Sequence, residues 1–171
     1  MIRFFLFCWF AVVSAFGGVL HDAAYEGDGE KIKAYMASKH DVDEQNAAGL
    51  SALHVAIKMG DLKIAQLLLD NGADINAQDF NGYTPLILAV KMRNLELVTF
   101  VVTHGADVNL ANKDGVTPLH QAAFSGNEAV VDFLLKAKAD PHLKNNDGAT
   151  AYDFAIAKKN FQIAQLIRMS M

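Results

Sequence analysis

The chain has 171 residues, 52% apolar and 20% charged, a balance that fits one or at most two globular domains and excludes a disordered chain. With a formal net charge of -4 there is no basic footprint for a phosphate backbone, so no nucleic-acid partner is expected. The single cysteine, Cys8, excludes an internal disulfide and a thiolate zinc site.

The first stretch differs from the rest. Phe4 to Val19 carries no charge, follows the lone cation Arg3 and ends in the small residues Ser14, Ala15, Gly17 and Gly18. That layout predicts a secretory signal over 1–17, cut after Ala15 or after Gly17. The apolar run falls short of the roughly 20 residues that span a bilayer, so no stable membrane insertion is expected once it is removed. Cys8 leaves with it, and a cysteine-free remainder suits an oxidising compartment. The expected location is periplasmic or secreted.

From residue 18 onward the chain repeats itself. Gly49, Gly82, Gly115 and Gly148 recur every 33 residues, as do Leu20, Leu53, Leu86, Leu119 and Tyr152, and Ala23, Ala56, Ala89, Ala122 and Ala155. The units fall at about 18–48, 49–81, 82–114, 115–147 and 148–171 and form one domain, 18–171. One unit shows how each is built. Thr117 is a good N-cap and Pro118 a good first helical residue, because proline lacks the amide hydrogen that would be orphaned there. Gly126 suits the left-handed conformation that ends this helix, and a second helix runs from about Asn127 to Lys136. Its apolar face, Val130, Val131, Phe133, Leu134 and Leu135, is too broad for one helix pair to cover, so neighbouring units must stack. Gly72-Ala73-Asp74 and Gly105-Ala106-Asp107 then end second helices and enter hairpin-like loops tipped by Asn81-Gly82 and Asp114-Gly115.

The phrase Gly115-Val-Thr-Pro-Leu-His120-Gln-Ala and its relatives from Gly49, Gly82 and Gly148 resemble the ankyrin repeat, and the resemblance covers Leu20 to the C-terminus. It implies an all-α solenoid of about five helix-turn-helix units joined by hairpin-like loops. The terminal units are atypical: the first lacks the Thr-Pro entry, and the last ends with Gln162, Gln165 and Arg168 among its apolar residues, which caps a solenoid and favours a monomer. Departures mark weak points. Ile87 stands where the repeat has histidine, Arg93 replaces the glycine between helices, and Lys138 replaces a glycine at positive φ, so the junction of the fourth and fifth units is expected to fray first.

Six histidines raise the question of metal or acid–base chemistry. His21, His54 and His120 hold the repeat's own histidine position, where the resemblance implies an imidazole that ties one unit to the next. His40, His104 and His142 sit in loops with no spacing that would converge on a metal. No H-E-x-x-H, G-x-S-x-G, Walker or G-x-G-x-x-G phrase occurs, so no enzyme activity and no cofactor are expected. In ankyrin-like stacks the partner lies against loop tips and the exposed sides of first helices. Carried over residue by residue, those positions are Leu50, Lys58, Met59, Phe80, Tyr83, Lys91, Met92, Lys113, Val116 and Phe124, flanked by Tyr25, Glu26 and Ser125. Methionine and aromatic side chains suit a buried interface centre, and the lysines would steer an acidic partner.

The expected function is therefore a non-enzymatic, exported protein-binding module. A signal followed by few repeats resembles the small bacterial periplasmic ankyrin proteins, some of which are associated with catalase and oxidative-stress handling. The alternative is a haem or metal carrier using Met59, Met92, Tyr83 or a loop histidine as ligand.

Overall fold

Short helices in pairs are what a 33-residue period with two capping signals should produce, and pairs are what the chain forms. A computed structural model describes residues 18–38 and 40–171; the expected signal, 1–17, lies outside the described residues. Among the described residues there are ten helices: α1 (Val19–Glu26), α2 (Gly29–Ala37), α3 (Ala52–Met59), α4 (Leu62–Asp70), α5 (Pro85–Lys91), α6 (Leu95–Thr103), α7 (Pro118–Ser125), α8 (Glu128–Lys136), α9 (Ala151–Ala157) and α10 (Phe161–Met169). The only β-type pairing among those residues is an isolated bridge between Lys144 and Thr150.

The elements start and stop for local reasons. Thr84 and Thr117 accept hydrogen bonds from the third residues of α5 and α7, each with proline at the first helical position. The N-cap positions of the second helices form a five-member register, Asp28, Asp61, Asn94, Asn127 and Asn160, and the first four accept from backbone N–H groups of the first turn. Asp61 Oδ1, for example, accepts from Lys63 N and Ile64 N, both at 3.0 Å. Just before each of these caps the chain takes positive φ, at Gly27, Gly60, Arg93, Gly126 and Lys159. The sharp turn between paired helices needs that conformation whichever residue stands there.

Packing groups the chain into two units. In the first, up to Asp74, α1 packs beside α3 and α2 beside α4; Leu20, Leu53, Ile32, Ile57 and Leu68 have no exposed surface. In the second, Ile75–Met171, α5, α7 and α9 pack in sequence, with α6, α8 and α10 behind them. Leu86, Val98, Val101, Leu134 and Ile167 are fully buried there. The small Ala89, Ala122 and Ala155 are also at 0% exposure, which lets the first helices approach closely. Tyr152, at the leucine position of the last repeat, is only half-buried.

The strain expected at Lys138 is present, with φ of 67°, and Arg93 (59°) and Lys159 (60°) share it. An L-residue in this region is disfavoured by its own Cβ, so Lys138→Gly is expected to raise stability by about 1 kcal/mol, read as a higher urea midpoint at unchanged slope. At the same junction the structure supplies offsetting ties. Asn160 Nδ2 donates to Ala123 O at 3.0 Å, and His120 Nε2 lies 3.0 Å from Ala149 O.

Candidate functional site

Five of the ten expected contact residues come from loops, and the loops are held by one device. Asn46, Asp79, Asn112 and Asn145 stand 33 residues apart. Each places a side-chain oxygen on the N–H groups two and four residues further on, at 2.8 to 3.1 Å. The amide of the same residue donates to the carbonyl four residues on, as Asp79 N does to Tyr83 O at 3.0 Å. The tip is closed by its own side chain and needs no strand ladder. Within the second unit successive tips are also joined, by Gln78 Nε2 to Ala111 O (2.9 Å), Lys113 N to Asn81 O (3.0 Å) and Asn146 Nδ2 to Lys113 O (2.9 Å).

These frames present Phe80 and Lys113 exposed and Leu50, Tyr83 and Val116 half-buried. The ends of first helices present the rest. In the first unit Lys58 and Met59 close α3, and both are exposed. In the second unit Lys91 and Met92 close α5, while Phe124 sits in the last turn of α7. Exposure is 48% for Met59, 55% for Phe80, 44% for Met92 and 46% for Phe124, high for side chains of this size.

The lysines differ from free steering charges. Lys91 Nζ stands 4.3 Å from the centre of the Tyr83 ring. Lys158 Nζ stands 4.0 Å above Phe124, whose ring meets Phe154 edge-on at 6.2 Å, and Phe154 in turn meets His120 at 5.2 Å. Each ring thus offers one face to a cation, a contact worth about 0.5–1 kcal/mol at an exposed site. Phe154 and Lys158 escaped the sequence reading, although Lys158 continues the register Met59, Met92, Ser125 into the last repeat. Ser125 turns inward, its hydroxyl donating to Ala122 O at 3.0 Å.

The repeat histidines act as ties. His21 Nε2 reaches Leu50 O at 2.7 Å, and His120 Nε2 reaches Ala149 O at 3.0 Å. His54 and His120 also close caps, with Nδ1 2.8 Å from the hydroxyls of Ser51 and Thr117. Burial holds the His120 imidazolium pKa below its ordinary value. The loop histidines lie apart: His40 stacks on Tyr35 at 4.4 Å, His104 Nδ1 is 2.7 Å from Phe100 O, and His142 N donates to Asp140. Among the described residues no three His, Cys, Asp or Glu side chains converge to hold a metal, and no helix is long and apolar enough to cross a membrane.

The family profile described as ankyrin repeats, in three copies, matches residues 20–112 and 104–170. No curated protein matches the chain.

Proposed function

The chain belongs to the ankyrin-repeat family, and from that premise we propose that it is exported and holds a partner protein against its loop tips and first-helix ends. Ankyrin repeats are interaction modules, which accounts for a chain whose histidines, asparagines and threonines are spent on holding repeats together. The observation that carries the reading is the exposure of Phe80, Met92 and Phe124 in the unit Ile75–Met171, each more than two-fifths open to water. Large apolar side chains left in water by a well-packed unit mark a surface meant to be covered. Lys91 and Lys158 lie over neighbouring rings, so carboxylates on the partner would meet a cation and an aromatic edge together.

Export is supported by the composition of residues 4–19 and by a remainder without cysteine. Capture from envelope extract tests the binding reading, with the chain from Phe16 onward as bait beside a Tyr83→Ala, Met92→Ala, Phe124→Ala variant. The wild type is expected to enrich one protein that the variant loses, while the variant's melting temperature falls only a few degrees because Met92 and Phe124 are exposed and Tyr83 is half-buried. Equal capture by both baits would place the interaction on another face.

A further inference from the structure

The cap position before the first helix of each repeat recurs every 33 residues as Ser51, Thr84, Thr117 and Thr150, and in the first repeat it is Gly18. Where serine or threonine is followed by the repeat histidine, both its hydroxyl and its backbone N–H meet Nδ1 of that ring, the N–H at 3.1 Å from Ser51 and 3.3 Å from Thr117. Gly18 has no hydroxyl to offer and its N–H makes no such bond, and an orphaned pair lies beside it. His21 Nδ1 and Glu44 Oε1 are both buried, stand 3.7 Å apart and have no hydrogen-bond partner.

Both groups are pinned from behind. His21, 1% exposed, has Nε2 at 2.7 Å from Leu50 O. A carbonyl only accepts, so Nε2 carries the hydrogen and Nδ1 of the neutral ring is a lone pair. The other carboxylate oxygen of Glu44 accepts from the Tyr35 hydroxyl at 2.7 Å, a bond that, with burial and the carboxylate's charge, pushes Tyr35 up to about 12. Two acceptors thus face one another across a gap that lacks a donor, an arrangement buried polar groups rarely tolerate. The gap adjoins Gly18: an ideal Cβ there would lie 2.5 Å from Glu44 Oε1 and 3.6 Å from His21 Nδ1. The Gly18 nitrogen shares that Cα and lies about 2.5 Å from the Cβ position, and as a chain amide it donates to neither acceptor.

We infer that the missing donor is the α-ammonium of Gly18 in a chain cut after Gly17, paired with Glu44 and His21 so that processing fastens the first repeat. The inference rests on the export reading and selects between its two cleavage positions. An ammonium carries three hydrogens and serves both acceptors, whereas a chain beginning at Phe16 leaves Gly18 with a single amide N–H. A cation at the start of α1 also opposes the helix dipole, and the Glu44 carboxylate beside it offsets that repulsion.

The test uses purified chains beginning at Gly18 and at Phe16, each with and without Glu44→Gln. In the Gly18 chain, Glu44→Gln is expected to lower the melting temperature by about 2–4 °C. Acetylating the Gly18 amine should do the same, and the two losses should not add. The Gly18 amine should titrate above the ordinary α-amino range of about 7.7–8.0 and return to it in Glu44→Gln. In the Phe16 chain Glu44→Gln should leave the melting temperature within about 1 °C. Equal losses in both chains with an ordinary amine would assign the donor to a protonated His21 or a water and overturn the inference. Intact mass of the protein recovered from the envelope is a separate arm. A Gly18 start supports the inference and a Phe16 start overturns it, while an unprocessed mass overturns the export reading itself and leaves the amine–Glu44 coupling in the Gly18 chain still measurable.

Discussion

Gly115→Ala is expected to destabilise the protein by about 2–4 kcal/mol, whereas Gly105→Ala, also at a left-handed position, should cost about 1 kcal/mol. The backbone penalty is common to both, with φ of 74° at Gly115 and 92° at Gly105. The surroundings differ. A Cβ on Gly105 meets nothing within 4 Å, but one on Gly115 would lie 2.9 Å from Asn145 Cα and from Asn146 N. Those atoms belong to the next loop and are held there, because Asn146 N donates to Asp114 O at 3.0 Å and its side-chain amide to Lys113 O at 2.9 Å. Making room means breaking the tie between the two tips. Urea unfolding of the two variants at matched slope measures the difference, and equal midpoints would show that the neighbouring loop yields freely.

That contrast also marks what a reader of the sequence could and could not see. Glycine at 49, 82, 115 and 148, the Thr117-Pro118 cap and the glycine at 126 are encoded one residue at a time, and each appears where its backbone chemistry requires. Lys138 was legible as strain for the same reason: a glycine position filled by another residue. Lys159 was equally legible in its register with Gly27, Gly60 and Gly126, yet the last repeat has too little of the motif around it to draw the eye. The oxygens of Asn46, Asp79, Asn112 and Asn145 form a register too, hidden because Asn and Asp look interchangeable with any loop residue until their bonds are traced. Lys91 over Tyr83 and Lys158 over Phe124 belong to a different kind. They depend on the rotamers of long side chains in separate parts of a repeat or in different repeats, which periodicity does not specify. The surface positions were thus foreseeable, and the cations lying across them were not.

The second large effect concerns a histidine whose burial favours the neutral ring. His120→Ala is expected to cost about 2–4 kcal/mol at pH 7.5 and to flatten the acid side of the stability profile. The ring, 1% exposed, joins four things: Nε2 to Ala149 O at 3.0 Å, Nδ1 to Thr117 N at 3.3 Å and to the Thr117 hydroxyl at 2.8 Å, and a T-shaped contact with Phe154. Ala149 O only accepts, so Nε2 is the donor and Nδ1 must keep its lone pair for the Thr117 N–H. Protonating Nδ1 would set a donor against the Thr117 N–H at the mouth of α7 and leave the Thr117 hydroxyl as its one acceptor. Burial already depresses the folded-state pKa below 6.5, although the Ala149 bond and the Asp153 charge act the other way. The unfolded chain therefore binds the proton more readily, and the stability due to this group is complete above the unfolded value near 6.5 and is lost as pH falls below it. Urea midpoints from pH 8 to pH 5 are expected to fall more steeply for the wild type than for His120→Ala. Parallel profiles would mean that the ring accepts its proton without giving up the cap, and the junction would then owe its strength to Asn160 on Ala123 instead.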